Sequence, residues 1–316
     1  MNARISILVP VMDEAATIAP LVEKIAATMG NIHGYTYEVM FVDDGSRDKT
    51  WAQICEVANA FPHVSGISLR RNFGKAAAIQ QGLNATTGEI VITMDGDLQD
   101  DPAEIPRFLE KIKKGADLVS GWKKVRHDPL GKTVPSRLFN VVTSRISGIA
   151  IHDFNCGFKA YRREIFDQIS LYGELHRFIP VLAGAAGYKV AEIAVEHHPR
   201  EHGKSKYGVA RLFKGLLDLL TVVTITRFGS RPGHLFGGIG LLLGMAGVAI
   251  NILLTVEWLN GAAIGHRPLL SLGVLLCIVG VQFVLFGMLA ELIISRKQIK
   301  LPGGAVKMRT RGVRES

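Results

Sequence analysis

The chain has 316 residues, 48% hydrophobic and 21% charged, with a formal net charge of +9, enough for one sizeable domain plus a further segment. Its mean hydropathy of +0.23 is high for a purely soluble enzyme with this many charges, so an apolar segment is expected. Cys55, Cys156 and Cys277 are scattered and form no C-x-x-C pair, which argues against a disulfide framework or structural zinc site and fits a reducing compartment.

Residues 5–9 are a short apolar run closed by Pro10, with Asp13 and Glu14 beyond. The run is too short for a secretory signal and lacks its flanks, so the bulk of the chain is expected in the cytoplasm. It reads instead as a buried parallel strand. Helical spacing follows over 15–29, a second strand over 38–42 and a helix over 48–60; residues 64–69, 76–85, 90–94, 103–113 and 117–120 continue the rhythm. Strands alternating with helices of about 10–15 residues predict an α/β fold of right-handed βαβ units and a mainly parallel sheet. In such sheets ligands bind beyond the carboxyl ends of the strands, where Asp43-Asp44 and Asp95-Gly96-Asp97 fall. Residues 123–200 read as a basic loop (123–135), a helix from Ser136, a turn-rich stretch (153–161) and a strand (189–196).

Over 207–227, Arg211, Lys214, Asp218, Thr221 and Thr224 recur at spacings of three or four between apolar residues. This predicts a helix lying in the membrane interface, against the alternative of an ordinary amphipathic core helix. Residues 235–256 and 269–290 carry no charge, and each is long enough to cross a hydrocarbon core of about 30 Å. The first contains Gly240-x-x-x-Gly244, a possible close-packing face. Gln282 is a polar residue within the second span, expected to join helices, and Glu291 is expected at its interface. Arg296, Lys297, Lys300, Lys307, Arg309, Arg311 and Arg314 lie beyond, which places this tail and the N-terminal domain on the cytoplasmic side. The expected organisation is a catalytic domain over 1–206, a juxtamembrane helix over 207–230, a two-helix hairpin over 231–295 and a basic tail over 296–316. The positive charge is thus accounted for by topology and anionic lipid. Nucleic-acid binding is not expected, because no aromatic-basic array accompanies the tail.

The strongest chemical signal is Met94-Asp95-Gly96-Asp97-Leu98-Gln99 after an apolar strand. Asp95, Asp97 and Gln99 place oxygen ligands at alternate positions, suited to Mg²⁺ or Mn²⁺ with positions left for diphosphate oxygens. A calcium EF-hand loop is excluded, since its sixth position is Asp100 instead of Gly and its twelfth Pro106 instead of Glu. Val42-Asp43-Asp44-Gly45-Ser46 offers carboxylates to base or ribose donors, while Ser46 or Asp48 can cap the following helix. Pro10-x-x-Asp13-Glu14 is a weaker element. Neither G-x-G-x-x-G nor G-x-x-x-x-G-K-[ST] follows the first strand, which counts against a dinucleotide oxidoreductase and a P-loop enzyme.

Together with Cys156-Gly157-Phe158-Lys159-Ala160-Tyr161-Arg162-Arg163 and Arg200-x-x-Gly203-x-Ser205-Lys206-Tyr207, these motifs resemble, in order and over essentially the whole chain, the family 2 glycosyltransferases of GT-A fold. The resemblance is to those that glycosylate dolichyl or polyprenyl phosphate. Met12 stands where many relatives carry Tyr. The resemblance implies a nucleotide-sugar donor, UDP- or GDP-linked, a polyprenyl phosphate acceptor, a membrane-bound homo-oligomer (a tetramer) and a place in the inner membrane. It implies that Pro10, Glu14, Asp43 and Asp44 line the nucleotide pocket and that Asp95, Asp97 and Gln99 hold the metal and donor diphosphate. Arg200, Ser205 and Lys206 would close over that diphosphate, and Lys123 and Arg137 would meet the acceptor phosphate. Apart from the resemblance, Asp153 is a candidate to orient the acceptor or a sugar hydroxyl. His197 and His198 are expected to be structural. UDP-glucose is the donor the resemblance favours, with GDP-mannose next. The alternatives are a polysaccharide-type enzyme, disfavoured by the absence of Q-x-x-R-W, and a non-catalytic scaffold or flippase, for which two spans make a poor path.

Overall fold

Strand β1 (Ala3–Val11) sends Ile5, Ile7 and Val9 to one face and Leu8 to the other, all wholly buried. That two-sided burial requires helices on both faces of the sheet. The computed structural model describes residues 3–124, 130–169, 171, 173–198, 221–222, 224, 226, 232–261, 263 and 267–296. Its seven strands run in the order β3-β2-β1-β4-β6-β5-β7, with β2 Tyr35–Asp43, β3 Val64–Ser68, β4 Ile90–Thr93, β5 Leu118–Lys123, β6 Lys159–Arg162 and β7 Val190–Val195. Helices α1 (Ile18–Gly30), α2 (Thr50–Ala60) and α4 (Ile105–Lys113) cover the face of Ile5, Ile7, Val9 and Phe41. Helix α3 (Lys75–Ala85), α5 (Leu130–Ser147), the short α6 (Ile165–Gln168) and α7 (Ile179–Ala185) follow in the chain, and Ala76, Ile79, Leu83, Ile165 and Ile179 pack with Leu8, Met40 and Val42 on the other face.

The sheet departs from the expectation at one strand. Strand β6, which overlaps the end of the stretch read as turns, runs antiparallel between β4 and β5. It is four residues long and begins and ends on basic side chains, a composition that hides a strand. Lys159 is nevertheless buried, and its ammonium donates to the Cys156 carbonyl and, at 3.3 Å, to that of Phe154. The helix expected from Ser136 begins earlier, at Leu130, and contains Pro135. A proline this near a helix start forgoes a single intrahelical bond, to the carbonyl four residues back.

One consequence of the parallel core is that the chain enters its functional loops at a common edge. The carboxyl ends of β1, β2, β4, β5 and β7 and the amino end of antiparallel β6 all open there.

The described residues up to Val222 form one compact unit and those from position 224 onward a second. The second unit contains α8 (Pro232–Leu259) and α9 (Pro268–Arg296). Gly233–Leu259 and Pro268–Ile293, of mean hydropathy 2.3 and 2.6, are long and apolar enough to cross a membrane. Their contact is written in glycine at heptad spacing: Gly233, Gly240 and Gly247 on α8 meet Gly287, Gly280 and Gly273 on α9. A Cβ at Gly240 would come within 2.6 Å of the Gly280 carbonyl oxygen, and one at Gly280 within 2.7 Å of that of Gly240. Close backbone approach of this kind is how helices associate without a hydrophobic driving force, and the seven-residue period keeps one seam facing its partner. Gly244, singled out from the sequence, would meet nothing with a Cβ of its own, although its backbone touches Gly280. Glu291 is tied to the hairpin by accepting the Gly233 amide at 3.1 Å, and Gln282 is exposed. Gly280→Leu should therefore destabilise the detergent-solubilised protein by about 1–3 kcal/mol through overpacking. Gly244→Ala should stay within about 0.5 kcal/mol of wild type in the same thermal denaturation assay.

Candidate active site

The edge is built by carboxylates that capture backbone amides. Asp13, in a left-handed conformation (φ 55°), accepts the Arg47 amide at 2.9 Å and donates its own amide to Ser46 Oγ at 2.9 Å. This locks the β1 turn to the β2 turn. Asp48 accepts the Thr50 amide at 2.9 Å, so it serves the start of α2 as the sequence suggested, whereas Ser46 is spent on Asp13. The half-buried Glu14 donates its amide to Thr50 Oγ1 at 2.9 Å, and Pro10 sits in register with Val42 at the ends of their strands.

Asp43 and Asp44 are both buried. Asp43 accepts from the Ser46 amide at 2.9 Å and from Ser68 Oγ at 3.0 Å, joining the β2 and β3 ends. The two oxygens of Asp44 take the amides of Phe73 at 2.7 Å and Gly74 at 2.9 Å, immediately before α3. A carboxylate on the orphan donors of a helix start is electrostatically favoured. Gly45 makes the approach possible: its φ is 75°, and a Cβ there would lie 2.5 Å from the Arg71 carbonyl carbon. Loop 70–74 is thus fixed against β2, and with it Lys75, the first residue of α3.

Lys75 delivers its ammonium to Asp95 Oδ1. The Asp95 carboxylate lies flat against Gly157, where a Cβ would come within 2.6 Å of Oδ1. Burial pushes the Asp95 pKa up, but the cations of Lys75 and Lys123 outweigh it and hold this carboxyl well below the usual range.

The acidic loop is tied to the end of β5 by Asp100, a residue to which the sequence assigns no site role. The Asp100 side chain is fully buried; it accepts the Asp95 amide at 3.3 Å and pairs with Lys123 Nζ at 3.0 Å. Burial draws the Lys123 pKa down, yet the paired Asp100 carboxylate overrides it and raises that pKa well above normal. Asp100 also bridges His197 in antiparallel fashion, the His198 amide donates to the Gln99 carbonyl at 3.0 Å, and His198 Nε2 lies 3.3 Å from Asp101 Oδ2. His197 and His198 are therefore structural, tying the extension of β7 to the loop. A lysine ending the next strand in the sequence was the available signal for this pair. Lys123, expected at the acceptor phosphate, has its charge turned to Asp100 instead.

Within the loop, Asp97 is buried and its Oδ1 accepts the Gln99 amide at 3.3 Å, with Leu98 held at φ 61°. Gln99 Nε2 donates to the His198 carbonyl at 3.2 Å, which leaves the amide oxygen as its remaining polar group. Among the described residues no three acidic, histidine or cysteine side chains converge on one point. The oxygens that would face such an ion are those of Asp97 and the Gln99 amide. A hard cation bound by one or two protein oxygens, with water and phosphate filling the rest, is the normal mode for Mg²⁺, so these residues fit the expected ion. Asp95, engaged by Lys75, fits it less directly.

Asp153 is fully buried; it accepts the Asn155 amide at 3.1 Å and donates its own amide to Glu192 at 3.0 Å. Arg137 lies in α5 but its side chain is outside the described set, as are Arg200, Ser205 and Lys206 altogether. A groove of about 530 Å³ lies between the end of β5 and α5, walled by Trp122, Lys123, Lys124, Asn140, Val141, Ser144, Arg145, Ala150, Ile151 and His152. Trp122 and His152 stack at 4.3 Å, and Lys124 Nζ stands 5.9 Å from the Trp122 ring centre.

A mostly parallel sheet with one inserted antiparallel strand and an acidic loop at its carboxyl edge defines the GT-A class of glycosyltransferases. Residues 6–170 match the model of the glycosyl transferase family 2, and the chain belongs to that family. It is 42% identical to a dodecaprenyl-phosphate galacturonate synthase of Rhizobium johnstonii, covering 92% of this chain and 88% of that one. It is 37% identical to an undecaprenyl-phosphate 4-deoxy-4-formamido-L-arabinose transferase of Pseudomonas fluorescens, covering 91% and 83%. Among solved structures, the glucosyl-3-phosphoglycerate synthase of Mycobacterium tuberculosis is similar in fold, with a TM-score of 0.53, 18% identity and 71% and 80% of the two chains covered. The protein is thus a glycosyltransferase with two apolar helices of membrane-spanning length.

Removing one partner of a buried ion pair strands the other, at a cost of about 3–5 kcal/mol. Lys123→Ala should lower unfolding stability by that order, and Asp100→Asn in the same chain should restore much of it. If Lys123 served only a substrate phosphate, Lys123→Ala would leave the denaturation midpoint unchanged.

Proposed function

We propose that the enzyme transfers a sugar from a nucleoside diphosphate sugar to a polyprenyl phosphate at the cytoplasmic face of the inner membrane. The observation that carries this reading is the juxtaposition, in one unit, of an oxygen-ligand loop (Asp97, Gln99) and a groove that is both cationic and apolar (Lys124, Arg145; Trp122, Val141, Ile151). The two relatives above act with different sugars but share a polyprenyl phosphate, so kinship supports the acceptor more strongly than the sugar. The basic residues beyond the second span support the orientation.

The reaction is a single in-line displacement with inversion. A phosphate oxygen of the lipid attacks the anomeric carbon, and the bond from that carbon to the diphosphate oxygen breaks, releasing nucleoside diphosphate. A phosphomonoester has its second pKa near about 6 and is largely dianionic at neutral pH, so the nucleophile needs no strong general base. The difficulty is charge: two anions must meet. Lys124 and Arg145 line the groove where the acceptor phosphate would lie, and Trp122, Val141 and Ile151 offer an apolar wall to the first isoprene units. Asp97 and Gln99 would hold a divalent cation, which when bound offsets negative charge on the departing diphosphate. Asp43 and Asp44 set the nucleotide side of the cleft by fixing the turns around it. Asp153, buried against Asn155, positions the loop leading to β6. Arg200, Ser205 and Lys206 remain the proposed closing loop over the diphosphate, and Arg137 a second acceptor contact.

The test is formation of glycolipid by full-length protein from Mg²⁺ or Mn²⁺, undecaprenyl phosphate and radiolabelled nucleotide sugars. Product that disappears with chelator and in Asp97→Ala, with folding and membrane insertion intact, is the expected outcome. A non-catalytic scaffold gives no glycolipid with any donor, and near-normal activity of Asp97→Ala would remove its metal role. Lys124→Ala with Arg145→Ala should raise KM for the lipid at least about tenfold by removing charge-assisted contacts, with little effect on donor KM.

A further inference from the structure

The turn between α5 and β6 brings one more polar side chain to the groove wall. His152 lines the groove with Trp122, Lys124 and Arg145, and its ring lies on the Trp122 indole at 4.3 Å with the planes 17° apart. Glu192 holds it there from β7, where it stands in register with Ser120 of β5. Glu192 Oε1 accepts the His152 amide at 2.8 Å and the Asp153 amide at 3.0 Å, and Oε2 meets His152 Nδ1 at 2.7 Å. Ser120 Oγ donates to the Asp153 carbonyl at 3.4 Å, so two strands fix this turn.

Anchoring the turn needs only one of the two Glu192 oxygens. The second is spent on a ring whose side chain is 66% exposed, while that of Glu192 is 10% exposed. A pair with so exposed a member contributes little to stability and costs rotamer freedom. What it does is fix the direction of the ring and the place of its proton. A carboxylate only accepts, so Nδ1 carries the hydrogen shared with Glu192, and Nε2 is the nitrogen left for the groove. Among the described residues that line the groove none is acidic, so a ligand there meets Nε2, Lys124 and Arg145 with no competing carboxylate.

We propose that His152 is a ligand of the acceptor phosphate, aimed through Nε2 into the groove by Glu192, which acts as its positioning residue. The inference rests on the polyprenyl phosphate reading above. A phosphate monoester offers three terminal oxygens, so one attacks the sugar while the imidazole and the cations hold the others. A monoanionic phosphate passes its O–H proton toward Nε2; a dianionic one meets an imidazolium that has taken its proton from solvent. In both cases one proton lies between Nε2 and a phosphate oxygen, and the Glu192 carboxylate compensates the positive ring. A phosphodiester headgroup has two free oxygens and a single charge, so an ordinary bilayer lipid satisfies this arrangement less well. Because the ring is stacked on Trp122, the phosphate contact and the apolar wall belong to one rigid piece.

The test is calorimetric titration of the full-length protein, in detergent and without donor, by undecaprenyl phosphate. His152→Phe keeps a ring on Trp122 and removes both nitrogens. It should weaken binding about tenfold or more, as for loss of a charge-assisted hydrogen bond. Undecaprenol, which lacks the phosphate, should bind the two proteins alike, within about twofold. Glu192→Gln can still accept the turn amides through its own amide oxygen. It should weaken undecaprenyl phosphate binding when His152 is present and add nothing to His152→Phe, because Glu192 acts through the ring. Unchanged affinity in His152→Phe would overturn the proposal and leave the acceptor reading standing. So would an equal loss for undecaprenol, which would make His152 part of the apolar wall only. Phosphatidylglycerol bound as tightly as undecaprenyl phosphate would also overturn it, making the groove a general lipid headgroup site. A Glu192→Gln effect that simply adds to that of His152→Phe would remove the positioning role. Failure of the wild-type protein to bind undecaprenyl phosphate would contradict the acceptor reading and the His152 contact together.

Discussion

The site depends on one buried ion pair. Asp100 is sealed under the acidic loop and meets Lys123 from the end of β5. Neither charge could be tolerated there alone, because desolvating an unpaired carboxylate or ammonium costs several kcal/mol (about 3–5 when a partner is removed). Together they fix the loop between two strands, β4 and β5, that do not touch each other and are separated by β6. The added tie from Asp100 to His197 brings in β7. Asp97 and Gln99 inherit their positions from this anchor.

A second theme is that most of the acidity at this edge is already spoken for. Asp13, Asp44 and Asp48 hold amides of loops, and Asp43 holds one amide and one hydroxyl. These bonds replace water at groups that would otherwise be costly to bury. They also pre-organise the cleft, so that little ordering is left for the moment of substrate binding. Basic residues are divided in the same way: Lys123, though it reaches the groove wall, is paired with Asp100 and Lys159 with backbone carbonyls, whereas Lys124 and Arg145 line the groove. An anionic acceptor in the groove would therefore meet cations that the fold has not already used.

Much of this was legible in the sequence because it is periodic. Apolar runs at 5–9, 38–42 and 90–94 gave the parallel strands, and two uncharged stretches gave the long C-terminal helices. The motifs at strand ends came together because parallel topology sends every such end to one edge. What was not legible depends on pairing across the chain. Strand β6 exists because β4 and β5 supply its partners on both sides, not because Lys159–Arg162 has strand character. Asp100 reads as one more solvated acid until Lys123, 23 positions later, is brought to it. In the hairpin, a four-residue glycine motif drew notice while the seven-residue repeat of Gly233, Gly240 and Gly247 carried the contact. Its partners Gly273, Gly280 and Gly287 show the same period, and only the antiparallel alignment of the two helices makes the match evident.

The central claim is that Asp97 and Gln99, held in place by the Asp100 anchor, form the protein's half of a divalent-cation site at the donor diphosphate. Locating Mn²⁺ by its anomalous scattering in crystals of the full-length enzyme with UDP tests it most directly. The ion is expected within about 2.0–2.3 Å of an Asp97 carboxylate oxygen and the Gln99 amide oxygen, with diphosphate oxygens completing its shell. Mn²⁺ bound away from Asp97, or UDP seated at the edge with no ion between it and the acidic loop, would contradict the account.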